Sequence, residues 1–401
     1  MGHLPYLPPE LIALIVDHLH GDTAALEACS LVSRAFLPTA QAHLFENIEL
    51  RFRPSNGNIK PMRAFISPDP CGVLSYTQKL SVSYPGIFTA PSHLDDILDH
   101  FMAFSNIREF RIRLDTFNFV DRDLTSTSHY FSHFQPTLRS LDLTTFDWNP
   151  KDLILFITFF PFLEDLSLLF YDPGPVTVDP RVEVLDPNLL APLRGTLRIR
   201  NTPLHGGFVV ELTKVQTLYH TLELGGHILS PETKVSELVA ACAPALRVLK
   251  LSHRCSLFPF QIMGHKLNRK LTVTHHTDLD SWMTFATCTQ LAEVRLPVYM
   301  GQHRGATRMH AALLSTISSP HLRKIELTFN GGLSTQEVAV VLSTKKWEAL
   351  EDVLLELTRR TKNTIQLVVA FQERTQFQRR CNELMPRFRK VGEVRFEWGS
   401  S

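Results

Sequence analysis

The sequence predicts an α/β chain in two parts. Residues 1–46 read as a three-helix module, and residues 47–401 as a curved solenoid with parallel strands inside and helices outside. Three observations predict this. The first helix carries apolar residues over too wide an arc for a helix resting on a small core of its own. A frame Pro-x-Leu-x-x-Leu/Ile-x-Leu then recurs four times. Capped amphipathic helices stand ahead of several of those frames.

The helical module begins at Leu7-Pro8-Pro9-Glu10. Proline suits the first helical position, where its missing N–H has no partner to lose, and an early glutamate suits the positive end of the helix dipole. The helix continues through Leu11, Ile12, Leu14, Ile15, Val16 and Leu19. At about 100° per residue these side chains cover an arc of about 200°, roughly twice the stripe an amphipathic helix needs. The surplus must be buried against neighbouring helices or against another polypeptide. His20-Gly21-Asp22-Thr23 reads as a turn, with Asp22 or Thr23 as the next cap. Ala24 to Cys29 forms a short second helix. Leu31 to Phe36 opens a third, which kinks or restarts at Pro38 because proline cannot donate to the carbonyl of Arg34, and continues from Ala40 to Phe45. Asn47 to Phe52 alternates with period two and reads as a strand. An irregular linker, rich in Pro, Asn and Gly, is expected at 54–70.

Leu7-Pro8, Glu10-Leu11, Ile15, Leu19, Leu26, the run Cys29-Ser30-Leu31-Val32-Ser33-Arg34, and Phe36 together resemble the F-box motif, over residues 4–45. The resemblance is nearest to fungal F-box proteins with divergent repeat regions. It implies a three-helix module that binds a Skp-family adaptor, which in turn binds a cullin. The chain would then be the substrate-recognition subunit of an SCF-type cullin-RING ubiquitin ligase, with its repeat region holding a target protein. The resemblance also implies adaptor contacts at Leu7, Pro8, Leu11, Ile15, Leu19 and Val32. Of these, Leu11, Ile15 and Leu19 fall at i, i+4 and i+8, on one helical face. The family usually carries Trp where this chain has Phe36, another large aromatic wedge. The same features also fit a non-ligase leucine-rich-repeat scaffold or protein-interaction module, whose helical N-terminus merely caps the repeats.

The recurring frame occupies Pro136-Leu138-Leu141-Leu143, Pro161-Leu163-Leu166-Leu168, Pro244-Leu246-Leu249-Leu251 and Pro320-Leu322-Ile325-Leu327. The two long gaps between these prolines, each divided by three, give about 28 and about 25 residues, inside the range of leucine-rich repeats. Weaker copies fill the gaps at Leu197-x-Ile199, Leu222-x-Leu224, Leu271-x-Val273 and Leu291-x-x-Val294-x-Leu296, and Ile107-x-x-Phe110-x-Ile112 extends the series upstream. Helices are expected from Ser92-x-x-Asp95, Asn149-Pro150, Ser230-Pro231 and Ser334-x-x-Glu337, each leading into an apolar face of helical period. Each unit of helix and strand has two apolar faces and cannot bury both alone, so the units stack. Leu350-x-x-Val353-x-Leu355 also fits the frame, but Trp347, Leu350, Val353, Leu354 and Leu357 recur at helical spacing and predict a helix. The next strands are expected at Ile365 to Phe371 and Val394 to Trp398, with a helix near 377–388 between them.

Residues between the leucines of each strand point away from the core and would line the concave face. They include Glu109, Arg111 and Arg113, then Ser140, Asp142 and Thr144, Ser167, Lys250, Glu293, Arg295 and Glu326. Arg111, Asp142 and Arg295 are the expected target-binding positions on this mixed surface.

A formal charge of +1 offers no global attraction to nucleic acid or anionic lipid. The cysteines at 29, 71, 242, 255, 288 and 381 form no Cys-x-x-Cys pair and predict free buried thiols of a reducing compartment, cytoplasmic or nuclear. The most apolar run, Leu153 to Leu163, is broken by Pro161 and is too short for a membrane span. No phosphate-binding glycine loop and no nucleophile elbow occurs. His129-x-x-x-His133 lacks a glutamate neighbour and a third ligand, His275 and His276 are adjacent and so face opposite ways, and Asp17-His18-x-His20 closes the first helix. No catalytic residue, cofactor or metal is therefore expected; ubiquitin transfer would belong to other subunits.

Overall fold

The computed structural model describes residues 7–51, 72–87, 101, 104–116, 131–145, 150–170, 192–200, 206–225, 235–251, 284–298, 306–329, 344–371 and 384–398. The chain forms two compact units, Met1–Val182 and Glu183–Ser401. Both are α/β, and the strands described in each pair in parallel with their neighbours in sequence.

The first unit opens with three helices, α1 (Pro9–Asp17), α2 (Thr23–Val32) and α3 (Leu37–Phe45). Pro9 occupies the first position of α1, and the Pro8 carbonyl accepts from the amides of Leu11 and Ile12. Asp22 caps α2, its carboxylate accepting from the Ala25 amide at 3.0 Å. The small core consists of Val16, Leu26 and Ala40, with Leu19, Cys29, Phe36 and Leu44 packed against it. His43 Nε2 lies 2.7 Å from Asp17 Oδ1 and ties α3 to the end of α1.

The third helix differs from the sequence expectation. Leu31 and Val32 complete α2, and Ser33 ends it in an extended conformation. The Ser33 hydroxyl accepts from the Ala35 amide at 3.2 Å, a local bond that competes with helix continuation. The chain turns through Phe36 before α3 starts, with Pro38 inside its first turn, where proline costs no hydrogen bond.

Only Glu46 separates α3 from β1 (Asn47–Arg51). The Glu46 carbonyl accepts from the amides of Gln78 and Lys79, starting the ladder to β2 (Lys79–Ile87). The same step recurs. Gln78 accepts from Arg108 and Glu109 ahead of β3 (Glu109–Thr116), Arg108 from Arg139 and Ser140 ahead of β4 (Ser140–Thr145), and Arg139 from Glu164 and Asp165 ahead of β5 (Asp165–Phe170). One carbonyl thus aligns each new strand on the last, and the register follows. Leu50, Val82, Ile112, Leu143 and Leu168 form one buried row, and Leu80, Phe110, Leu141 and Leu166 lie in another. Behind these rows pack Phe101, Phe131, Phe134, Phe156 and Phe160, the last two on or next to α4 (Pro150–Thr158). Their rings meet at 5.1–6.2 Å, mostly edge to face.

The second unit contains β6 (Leu193–Arg200), α5 (Gly206–Lys214), β7 (Thr217–Leu224), α6 (Val235–Cys242) and β8 (Val248–Leu251). It continues with β9 (Glu293–Val298), α7 (Ala306–Ser315), β10 (Lys324–Phe329), α8 (Thr344–Thr361), β11 (Gln366–Phe371) and β12 (Glu393–Trp398). Its buried row runs Leu222, Leu249, Val294, Ile325, Leu367 in register. Helical spacing prevails over the strand frame at Trp347 to Leu357, which lies in α8 with Trp347, Leu350, Leu354 and Leu357 buried. Gly195 sits at φ 90 where the β6–β7 register shifts, a conformation glycine adopts without strain. The expected helix starts at Ser92, Ser230 and Ser334, the frame at Leu271, the linker at 54–70 and residues 377–383 lie outside the described residues.

Candidate protein-interaction surfaces

Two surfaces of the first unit present side chains that its own fold leaves open. The first is apolar. On α1, Ile12 and Val16 face the core at 5% and 0% exposure, whereas Leu11, Leu14 and Ile15 are 46%, 55% and 43% exposed. Leu7 ahead of α1 is also exposed, and at the end of α2 so are Leu31 and Val32, at 86% and 77%. A helix of nine residues with apolar side chains on both sides buries only one of them here. Each such side chain left in water forgoes about 1–2 kcal/mol of burial. Of the expected adaptor contacts, Leu7, Pro8, Leu11, Ile15 and Val32 are exposed, while Leu19 packs partly into the core beyond the end of α1. Leu14 and Leu31 were not among the expected contacts. The arc over which α1 is apolar, and the Leu-Val pair at the end of α2, were the signals available.

The second surface is polar and lies on the open face of β1 to β4. A concavity of about 760 Å³ is lined there chiefly by residues whose side chains point away from the buried rows. In register, one row across the strands reads Asn47, Lys79, Glu109, Ser140; the next Glu49, Ser81, Arg111, Asp142; the third Arg51, Ser83, Arg113, Thr144. The hollow has a simple cause. Strand β2 offers two serines where β1 and β3 offer long charged side chains, so the middle of the face sinks to a hydroxyl floor.

Arg111 Nε donates to Asp142 Oδ2 at 3.0 Å, Arg51 Nη2 to Glu49 Oε2 at 2.7 Å, and Lys79 Nζ lies 3.1 Å from Glu109 Oε1. Arg113 has no ion pair or hydrogen bond among the described residues, and neither has the hydroxyl of Ser81 or Ser83. The hydrogen bond from Arg51 holds the Glu49 carboxyl below its usual range; burial opposes this, and the fields of Arg51, Arg113 and Arg111 reinforce it.

Arg111 and Asp142 therefore face one another in the first unit, while Arg295 belongs to the second, on β9. There Arg295 Nε lies 2.8 Å from Oε1 of Glu326, whose other oxygen is 3.2 Å from Lys324 Nζ. Under these cations Glu326 is 6% exposed, and Thr144 and Ser167 are buried as well, so part of the expected solvated face is covered. Ser81 and Ser83 were not among the expected positions because β2 was not anticipated, the alternation Leu80-x-Val82 being its only sign, while Arg51 lies on β1, a strand the sequence did predict. His133 is exposed, and His129, His275 and His276 lie outside the described residues. Among the described residues, no helix is long and apolar enough to cross a membrane.

No protein-family model and no curated protein matches this chain.

Proposed function

We propose that this chain is an F-box substrate receptor of an SCF-type cullin-RING ubiquitin ligase, with α1 to α3 docking a Skp-family adaptor and a leucine-rich-repeat-like solenoid of strands holding a target. One observation carries the proposal: α1 buries Ile12 and Val16 but leaves Leu11, Leu14 and Ile15 in water, with Leu31 and Val32 still more exposed. A free-standing chain gains nothing from such a surface, and a partner helix or groove would bury it. The motif resemblance at Leu7-Pro8 and Leu31-Val32-Ser33-Arg34 supports the choice of partner. The repeated carbonyl step and the in-register leucine rows support the solenoid.

Co-expression with a Skp-family adaptor tests the proposal. The full chain is expected to retain the adaptor through affinity and size-exclusion steps. Leu11→Asp with Ile15→Asp places two charges where the partner would bury them, at a cost of several kcal/mol. Both positions are about half exposed in the free chain, so the variant keeps its helicity by circular dichroism and loses the adaptor. Failure of the unmodified chain to retain the adaptor sinks the proposal. The scaffold alternative draws on a different fact, the direct run of α3 into β1, which suits a cap on the strand stack. It predicts that the chain is well behaved without any adaptor and that the double substitution changes nothing.

A further inference from the structure

Building on the ligase reading, in which the strand region receives a target, we propose that the trough floored by Ser81 and Ser83 binds carboxylate side chains of an acidic polypeptide segment. Adjacent strands lie about 4.8 Å apart, so β1 and β3 stand about 9.6 Å apart across β2, wide enough to admit a side chain from above. The register puts Arg51 and Arg113 on either side of Ser83, and Arg111 beside Ser81. Guanidinium groups recognise carboxylates through paired N–H donors, and two hydroxyls without a partner among the described residues add donors from the floor.

Charge balance points the same way. The lining holds four cations, Arg51, Lys79, Arg111 and Arg113, and three anions, Glu49, Glu109 and Asp142. Each anion is already joined to a cation, and Arg113 has no ion pair among the described residues. The chain's own Glu49 carboxylate, bonded to Arg51 and within the fields of Arg111 and Arg113, shows the kind of group this place accepts. In the second unit several of the outward cations are already taken. Arg198 and Lys250 hold Glu223, Arg295 and Lys324 hold Glu326, and Arg395 holds Glu393. At those cations a guest carboxylate would have to break an existing pair.

Fluorescence anisotropy on the full chain tests this with three labelled probes: Gly-Glu-Gly-Glu-Gly-Glu-Gly, the same peptide with glutamine for glutamate, and the same with phosphoserine for glutamate. The glutamate peptide is expected to bind about tenfold tighter than the glutamine peptide. Arg111→Gln with Arg113→Gln should erase that difference. Arg113→Gln alone breaks no described contact and should still weaken binding about threefold. Glu49→Gln removes the internal competitor and should tighten binding. Arg395→Gln on β12 makes the same change in net charge and should leave affinity unchanged. Equal binding of the glutamate and glutamine peptides overturns the proposal, and so does an Arg395→Gln loss as large as that of Arg113→Gln. Binding of the phosphoserine peptide alone overturns the carboxylate assignment. Adaptor retention is read on the same samples: peptide binding without adaptor retention sinks the ligase reading and leaves the trough standing.

Discussion

Cys242 on α6 and Cys288 ahead of β9 are both fully buried, and both thiols are free. Burial pushes Cys242 up to about 12, against a lowering hydrogen bond from Thr217, and Cys288 up to about 11. Alkylation requires the thiolate and access to it, and these two have neither near neutral pH. Brief treatment of the native chain with iodoacetamide at pH 8 should modify Cys29, which is only half-buried, ahead of Cys242 and Cys288. Peptide mass spectrometry should find the latter pair modified only after denaturant is added. For Cys242 and Cys288 the irregular spacing of the cysteines made free buried thiols legible in the sequence; Cys29 is only half-buried, and Cys71, Cys255 and Cys381 lie outside the described residues. Nothing there signalled Gly392. A Cβ at that position would collide with the ring of Phe388, which is wholly buried and has no room to retreat. Gly392→Ala should therefore cost about 1–3 kcal/mol, read from the midpoint of urea unfolding.

At the scale of elements, the open face of β6 to β8 carries a small charge network of its own. Glu223 lies between Lys250 at 2.7 Å and Arg198 at 3.2 Å. Burial pushes its carboxyl up, but the hydrogen bond from Lys250 and the fields and contact of both cations outweigh it and hold the carboxyl below the usual range. A carboxylate held low in the folded chain stabilises it above the unfolded value, and that stability is lost as pH falls through the folded value. Glu223→Gln should thus cost about 1 kcal/mol near pH 7. The difference from the unmodified chain should close in denaturant titrations near pH 3. A gap that persists in acid would show that Glu223 acts through packing and not through charge.

Elements whose apolar residues repeat strictly were the legible ones. The leucine frames gave β4, β5, β8, β9 and β10, and helical spacing gave α8 against a competing strand frame. Strand β2 escaped because no proline or leading leucine announces it and two of its outward residues, Ser81 and Ser83, are small. The same serines that hid the strand create the hollow, so the polar candidate surface was the harder of the two to foresee. The α2–α3 boundary also escaped, since only the Ser33 hydroxyl and its local bond to Ala35 separate two helix-forming stretches.

Across each unit, every described strand pairs with its neighbours in sequence, so long-range order is built from a chain of adjacent contacts. In such an architecture stability is close to a sum of local stabilities and nearest-neighbour interfaces, and damage should stay near its origin. Leu249 on β8 offers a clean place to probe this. It is fully buried and sits in register between Leu222 on β7 and Val294 on β9. Leu249→Ala removes most of a buried side chain and leaves a cavity, at a cost of about 2–5 kcal/mol. Native-state hydrogen exchange should accelerate at the amides of β7, β8 and β9, and those of β11 and β12 should keep their protection. Equal acceleration from β7 to β12 would mean that the second unit opens as one cooperative block, held together by its helices as much as by the strand ladder.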